Sequence, residues 1–181
     1  PVLPKGNNLS LHLLELFTSQ VAKVGMTDGI RQVLQEESDA LRAYYEQAGI
    51  LIARPAGGTS CRLAISAKGG TNAENHNHND VGSYAVALGS ETMVGDQGGP
   101  NSYPGDYFNG DAPQKYKIKG SFGHPVPVVD GRTQSSGGKA KGVVLQKEFT
   151  NEKDVFSIDY TSAYSTPNLD KLIRTFVYDR Q

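Results

Sequence analysis

Tryptophan is absent from the chain and cysteine occurs once. Neither sign of charge dominates: 18 Lys and Arg stand against 19 Asp and Glu, a formal net charge of −1. Such a chain creates no global field toward nucleic acid, and no basic stripe with interleaved aromatics stands out, so nucleic acid is not an expected partner. Cys61 has no second thiol with which to close a disulfide; it lies in the apolar run Cys-Arg-Leu-Ala-Ile, where a buried thiol acting as a small hydrophobe is expected. No run of about 18 apolar residues is present, nor a charged start followed by an apolar stretch, so neither a membrane span nor a signal peptide is expected within these residues.

What the chain does have is glycine, 21 of 181 residues, with apolar residues at 37%, a balance that suits many turns better than a helical bundle. The length allows one domain with a substantial core, or one domain and a fragment of another. The chain opens on Pro1 and stops on Gln181 within a strand-like run, so both ends read as cuts.

The hydrophobic period changes once along the chain. Leu11, Leu14, Leu16, Phe17, Val21 and Val24 recur at helical spacing, and residues 30–45 continue as a second helix-like segment. Beyond Tyr45 the runs are short, β-branched or aromatic: residues 49–54, 62–66, 81–88, 91–94, 127–130, 142–146, 155–160 and 173–178. Gly, Asn, Asp or Pro separates most of them, which predicts an antiparallel sandwich or barrel. Two long loops, 97–114 and 131–141, interrupt the series, and long loops in a compact domain often carry function.

The chemistry concentrates in Asn75-His76-Asn77-His78-Asn79-Asp80, which holds two of the four histidines. On a strand, His76 and His78 would project to one face, as two metal ligands or as one ligand and one catalytic group. Asp96 ends the following strand, which a hairpin through Gly89-Ser90 would return beside His78, and His124 opens another strand-like run. Two histidines and an aspartate form a set that zinc accepts readily. Each has a plainer reading: a chance His-x-His pair, a turn aspartate, a strand-capping histidine. His12, among helical leucines, reads as an ordinary helix histidine. A cupin-type site would need a glutamate where Gly82 and Ser83 stand, so that pattern fails.

Four blocks in order, residues 44–54, His76-Asn-His-Asn-Asp-Val-Gly-Ser-Tyr, Gly95-Asp96 and Gly123-His-Pro-Val-Pro-Val-Val-Asp-Gly-Arg, resemble the β-sandwich region of heparinase II/III-like polysaccharide lyases. The resemblance implies a mainly β fold: residues 1–43 as a short helical segment, the tail of an α/α toroid, and 44–181 as an antiparallel β-sandwich truncated at its C-terminus. It implies that His76 faces the substrate cleft and takes part in catalysis, while His78, Asp96 and His124 bind a structural zinc. The activity implied is β-elimination on a uronic-acid-containing polysaccharide of glycosaminoglycan or alginate type, in a periplasmic or secreted protein. The general base and acid would come from an upstream helical domain of the same protein; Tyr103 and Tyr107 could touch a sugar, but spacing assigns neither a catalytic role. The alternatives are a non-catalytic carbohydrate-binding or architectural sandwich that retains the metal, and a different metal-dependent enzyme on a β-barrel.

Overall fold

The computed structural model describes residues 40–96 and 99–181, so the helix-like segment expected upstream lies outside the described residues apart from its last positions. Those last positions are not helical. Arg42–Tyr45 forms strand β1, which pairs antiparallel with β2 (Ile50–Ala53) through the turn that closes on Gly49. The sheet therefore begins two residues ahead of the expected boundary at Tyr44, because Ala43 and Tyr45 face Ile52 and Ile50 across the ladder.

Strands β3 (Leu63–Lys68), β5 (Tyr84–Leu88) and β6 (Glu91–Val94) complete an antiparallel five-stranded sheet in the order β1-β2-β3-β5-β6, with the short β4 (Thr71–Asn72) outside it. The second sheet is β10-β9-β8, formed by β8 (Val143–Phe149), β9 (Lys153–Asp159) and β10 (Ile173–Asp179). Leu51 and Ala67 from the first sheet pack on Phe156 and Ile158 from the second, with Tyr44, Val144, Phe149 and Phe176 around them. This is an antiparallel β-sandwich, with burial of apolar side chains between the layers as its main stabilising term. Among the described residues, helix is confined to α1 (Ala112–Lys115) and two 3-10 turns.

Five local expectations change. The histidine block is a loop rather than a strand: β4 ends at Asn72, and His76 has φ 57. The run 81–88 becomes a strand only at Tyr84, because Gly82, at φ 80, turns the chain where an added Cβ would lie 3.0 Å from the Tyr160 ring. Residues 127–130 give no strand. Pro125 and Pro127 carry no N–H for a ladder, and Asp130-Gly131, both at positive φ, close a tight turn bridged by Val129 and Arg132. Within the loop expected over 131–141, Gly137–Lys141 instead forms β7, paired with β4. Cys61 is half-buried at the rim, its Sγ 3.6 Å from the Tyr178 hydroxyl, rather than enclosed in the core.

A second core cluster of Val81, Ala140, Tyr160, Ala163 and Tyr164 lies beneath the histidine loop. Arg174 on β10 crosses this region, donating to the Gly82 carbonyl at 2.5 Å and the Pro125 carbonyl at 2.8 Å. One guanidinium thus holds the chain just after each of the two segments that present His78 and His124.

Candidate functional site

The amides around the histidines are largely structural. Asn72 Nδ2 donates to Gln134 Oε1 at 2.9 Å and to the Ser135 carbonyl at 2.8 Å, while its Oδ1 accepts the Asp80 N–H at 3.2 Å. Asn79 Nδ2 donates to the Gln134 carbonyl and Ser136 Oγ, and Asn79 N–H to the Lys119 carbonyl at 2.8 Å. Gln134 closes the net by donating to the Val81 carbonyl and accepting its N–H. These bonds offset most of the cost of burying the polar groups, Asn79 Oδ1 alone among these amides lacking a partner, and the loop is fixed although it belongs to no sheet.

His78 and His124 meet, with Nδ1 of His78 3.0 Å from Nε2 of His124. On the far side of His124, Nδ1 lies 3.5 Å from Asp96 Oδ2. The β5–β6 hairpin returns Asp96 to the site, beside His124 rather than beside His78 as the sequence suggests, and Gly120–His124 delivers His124 through the 3-10 turn Ser121–Gly123. A Cβ on Gly123 would overlap the Ile118 carbonyl and approach Ile118 Cα to 2.7 Å, so only glycine fits beside His124. Gly123→Ala is expected to cost about 2 kcal/mol by overpacking, as read by denaturant unfolding.

Burial, followed by the neighbouring His124, pushes the His78 imidazole down to about 4. His78 is then neutral at neutral pH, the form in which imidazole ligates a metal. Between about pH 6.5 and 4 the unfolded chain binds a proton at His78 that the folded chain does not. Stability of metal-free protein is therefore expected to rise with pH across that window and to fall on acidification through it, in denaturant titrations at stepped pH. His78→Gln should flatten the slope.

His76 is placed elsewhere. It is exposed and stacks on Phe108, with ring centroids 4.5 Å apart at 29°. Both rings line an open pocket of about 680 Å³ shared with Asn75, Asn77, Asn109 and Lys119. Of the two loop tyrosines, Tyr107 is 1% exposed and wedged among Tyr103, Phe108 and Tyr116, so it belongs to the packing of the pocket wall. Tyr103 is 54% exposed and free to meet a ligand. Phe108 and Lys119 were not legible as site residues: Phe108 lies next to an aromatic in a flagged loop, but Lys119 is one lysine of three at alternate positions, without a motif.

The fit to a metal can be judged from the donors. The His124 Nδ1 atom is buried without a hydrogen-bond partner, an uncommon state for a ring nitrogen. Two zinc-bound nitrogens at tetrahedral angles are roughly 3.3 Å apart, close to the 3.0 Å found between the two histidines. The three side chains form a line through His124 rather than converging, and among the described residues no three His, Cys, Asp or Glu groups are placed to hold an ion. The donor chemistry fits zinc; a ligating arrangement would require a turn of the His124 ring or of Asp96.

No protein-family model matches the chain, and no curated protein matches it. Among solved structures, the chain is similar to a heparan sulfate lyase HepC from Pedobacter heparinus, with a TM-score of 0.63 at 16% identity over 94% of this chain. A mutant of the same lyase gives a TM-score of 0.63 at 15% identity over 93% of this chain. The chain spans 26% of the length of either lyase chain. The fold is thus that of a sandwich found in a polysaccharide lyase.

Proposed function

We propose that the chain is part of a polysaccharide lyase that cleaves a uronic-acid-containing polysaccharide by β-elimination, acting outside the cytoplasm in the periplasm or after secretion. The observation that carries this reading is the division within one loop: His76 lines an open pocket, while His78, two residues on, pairs with His124 beside Asp96. Similarity to the sandwich of a heparan sulfate lyase supports it.

In the reaction a base removes the proton at C5 of the uronate, the C4–O bond breaks with its electrons leaving on the glycosidic oxygen, and a C4=C5 double bond forms. The leaving oxygen takes a proton from an acid. The C5 proton is weakly acidic, so negative charge developing on the carboxylate must be met by a donor. His76 is that donor, with the Asn75 or Asn77 amide beside it. The base and acid come from the upstream helical domain of the same protein. His78, Asp96 and His124 would hold a zinc, which when bound supplies a crosslink between the loops that frame the pocket.

The test is incubation of the complete protein with glycosaminoglycan and alginate polymers, watching for the ultraviolet absorbance of the unsaturated uronate. The 181-residue chain alone is expected to be inert and to gain activity when the upstream helical region is supplied. A full rate from the 181-residue chain would move the base into it, with Tyr103 as the exposed candidate, and end the two-domain account.

A further inference from the structure

Lys119 is buried to 3% exposure, yet forms no ion pair with a described carboxylate. Its Nζ donates to the Tyr107 carbonyl at 2.7 Å and lies 4.7 Å and 5.2 Å from the ring centroids of Tyr107 and Phe108. An ammonium carries three donors, so this leaves donor capacity unused. Burial lowers its proton affinity, and no neighbouring carboxylate offsets that effect. A lone buried cation is costly in a folded chain unless something neutralises it.

Its surroundings indicate what does. Lys119 lines the same pocket as His76 and Phe108 and is the only lysine or arginine among the described residues there. The one carboxylate on that lining, Glu74, is turned away: its Oε1 accepts the Thr71 N–H at 3.1 Å and its Oε2 faces Lys68 Nζ at 4.0 Å. The remaining polar lining is mostly asparagine amides, which hydrogen-bond without adding charge. The pocket therefore combines an aromatic stacking surface, neutral donors and acceptors, and one cation lacking a counter-charge among the described residues.

We propose that Lys119 is the anion-anchoring residue of this pocket, holding the carboxylate or sulfate of a sugar seated against the stacked His76 and Phe108 rings. The choice of a sugar rests on the lyase reading above; the anion site does not. Tyr107 and Phe108 stiffen the lysine from both sides, so little side-chain entropy is lost when the anion arrives.

The test measures binding rather than turnover, on the 181-residue chain and its Lys119→Met and Lys119→Arg variants. A sulfated uronate tetrasaccharide is expected to bind Lys119→Met at least about tenfold more weakly than the parent, with partial recovery in Lys119→Arg. Repeating this with the desulfated and the carboxyl-reduced tetrasaccharide identifies the anion, because the difference between parent and Lys119→Met vanishes when the recognised group is removed. Equal binding of the acidic probe by parent and folded Lys119→Met overturns the proposal. If the parent binds no sugar, or the methionine variant does not fold, titration of the parent with inorganic sulfate decides, read at the Lys119 ammonium by NMR against chloride at equal ionic strength. A saturable shift of that resonance supports the anion site even where the lyase reading has failed, and a resonance that does not respond overturns it.

Discussion

Asp154→Asn is expected to destabilise the fold by about 3–5 kcal/mol, the largest single effect predicted on stability. Asp154 is enclosed, its side chain 0% exposed, and receives two arginines: Arg42 Nε at 2.8 Å, and Arg180 Nη2, which is itself 1% exposed. Arg180 also donates to the Arg54 and Leu41 carbonyls at 2.9 Å and 3.0 Å, so one cluster joins β1, the end of β2, β9 and the residue after β10. Replacing the carboxylate by an amide leaves two guanidiniums facing each other without a counter-charge. The loss is a large share of the roughly 5–15 kcal/mol that a domain has. Denaturant unfolding would measure it. Because the cluster shares no residue with the pair of His78 and His124, metal content of folded protein should not change. A loss below about 1 kcal/mol would mean that the arginines find other partners.

His76→Ala is expected to have the largest effect on activity, a fall in turnover on the order of a hundredfold to a thousandfold in the complete protein, as for loss of one donor to a developing anion. Metal content and unfolding midpoint should stay near those of the parent, since His76 is exposed and its one described ring contact is with Phe108. On the proposed zinc site, His78→Ala is expected to give the opposite pattern, with zinc lost and stability lowered. Loss of metal on His76→Ala, with retention on His78→Ala, would exchange the two roles.

The sandwich was legible because its strands announce themselves by alternation and by β-branched content. Glu91–Val94 forms over the residues the pattern indicates, and β2, β3, β8, β9 and β10 each overlap the run that points to them. Strand β1 was hidden because Arg-Ala-Tyr-Tyr continues a helix-like segment and becomes a strand by pairing with β2. β7 was hidden because Gly-Gly-Lys-Ala-Lys has no strand propensity of its own and is held by β4 and by Ser162. The turn at Asp130-Gly131 was written in the sequence, as an Asp-Gly pair following two prolines, but the valines around it suggested a strand.

At the site, residue types were legible and geometry was not. A hairpin through Gly89-Ser90 returns Asp96 to the site, as local pattern suggests, but beside His124 where the pattern had placed it beside His78. The expected strand would have put His76 and His78 on one face; the turn at His76 sends them to different surroundings, one ring on Phe108 and the other on His124. Nothing local marks Gln134, 53 residues beyond Val81 in the chain, as the side chain that fixes the loop. Nor does spacing reveal Lys119, which the fold buries without a counter-charge among the described residues.

On the proposed reading the complete protein breaks a uronate glycoside by elimination and not by hydrolysis. The most direct measurement is mass spectrometry of the fragments released from an acidic polysaccharide in water enriched in heavy oxygen. The account predicts fragments whose new non-reducing end is an unsaturated uronate, lighter by one water than the hydrolysis product, with no solvent oxygen incorporated at cleavage. Saturated fragments carrying the heavy oxygen, or no cleavage of any acidic polysaccharide by the complete protein, would contradict it.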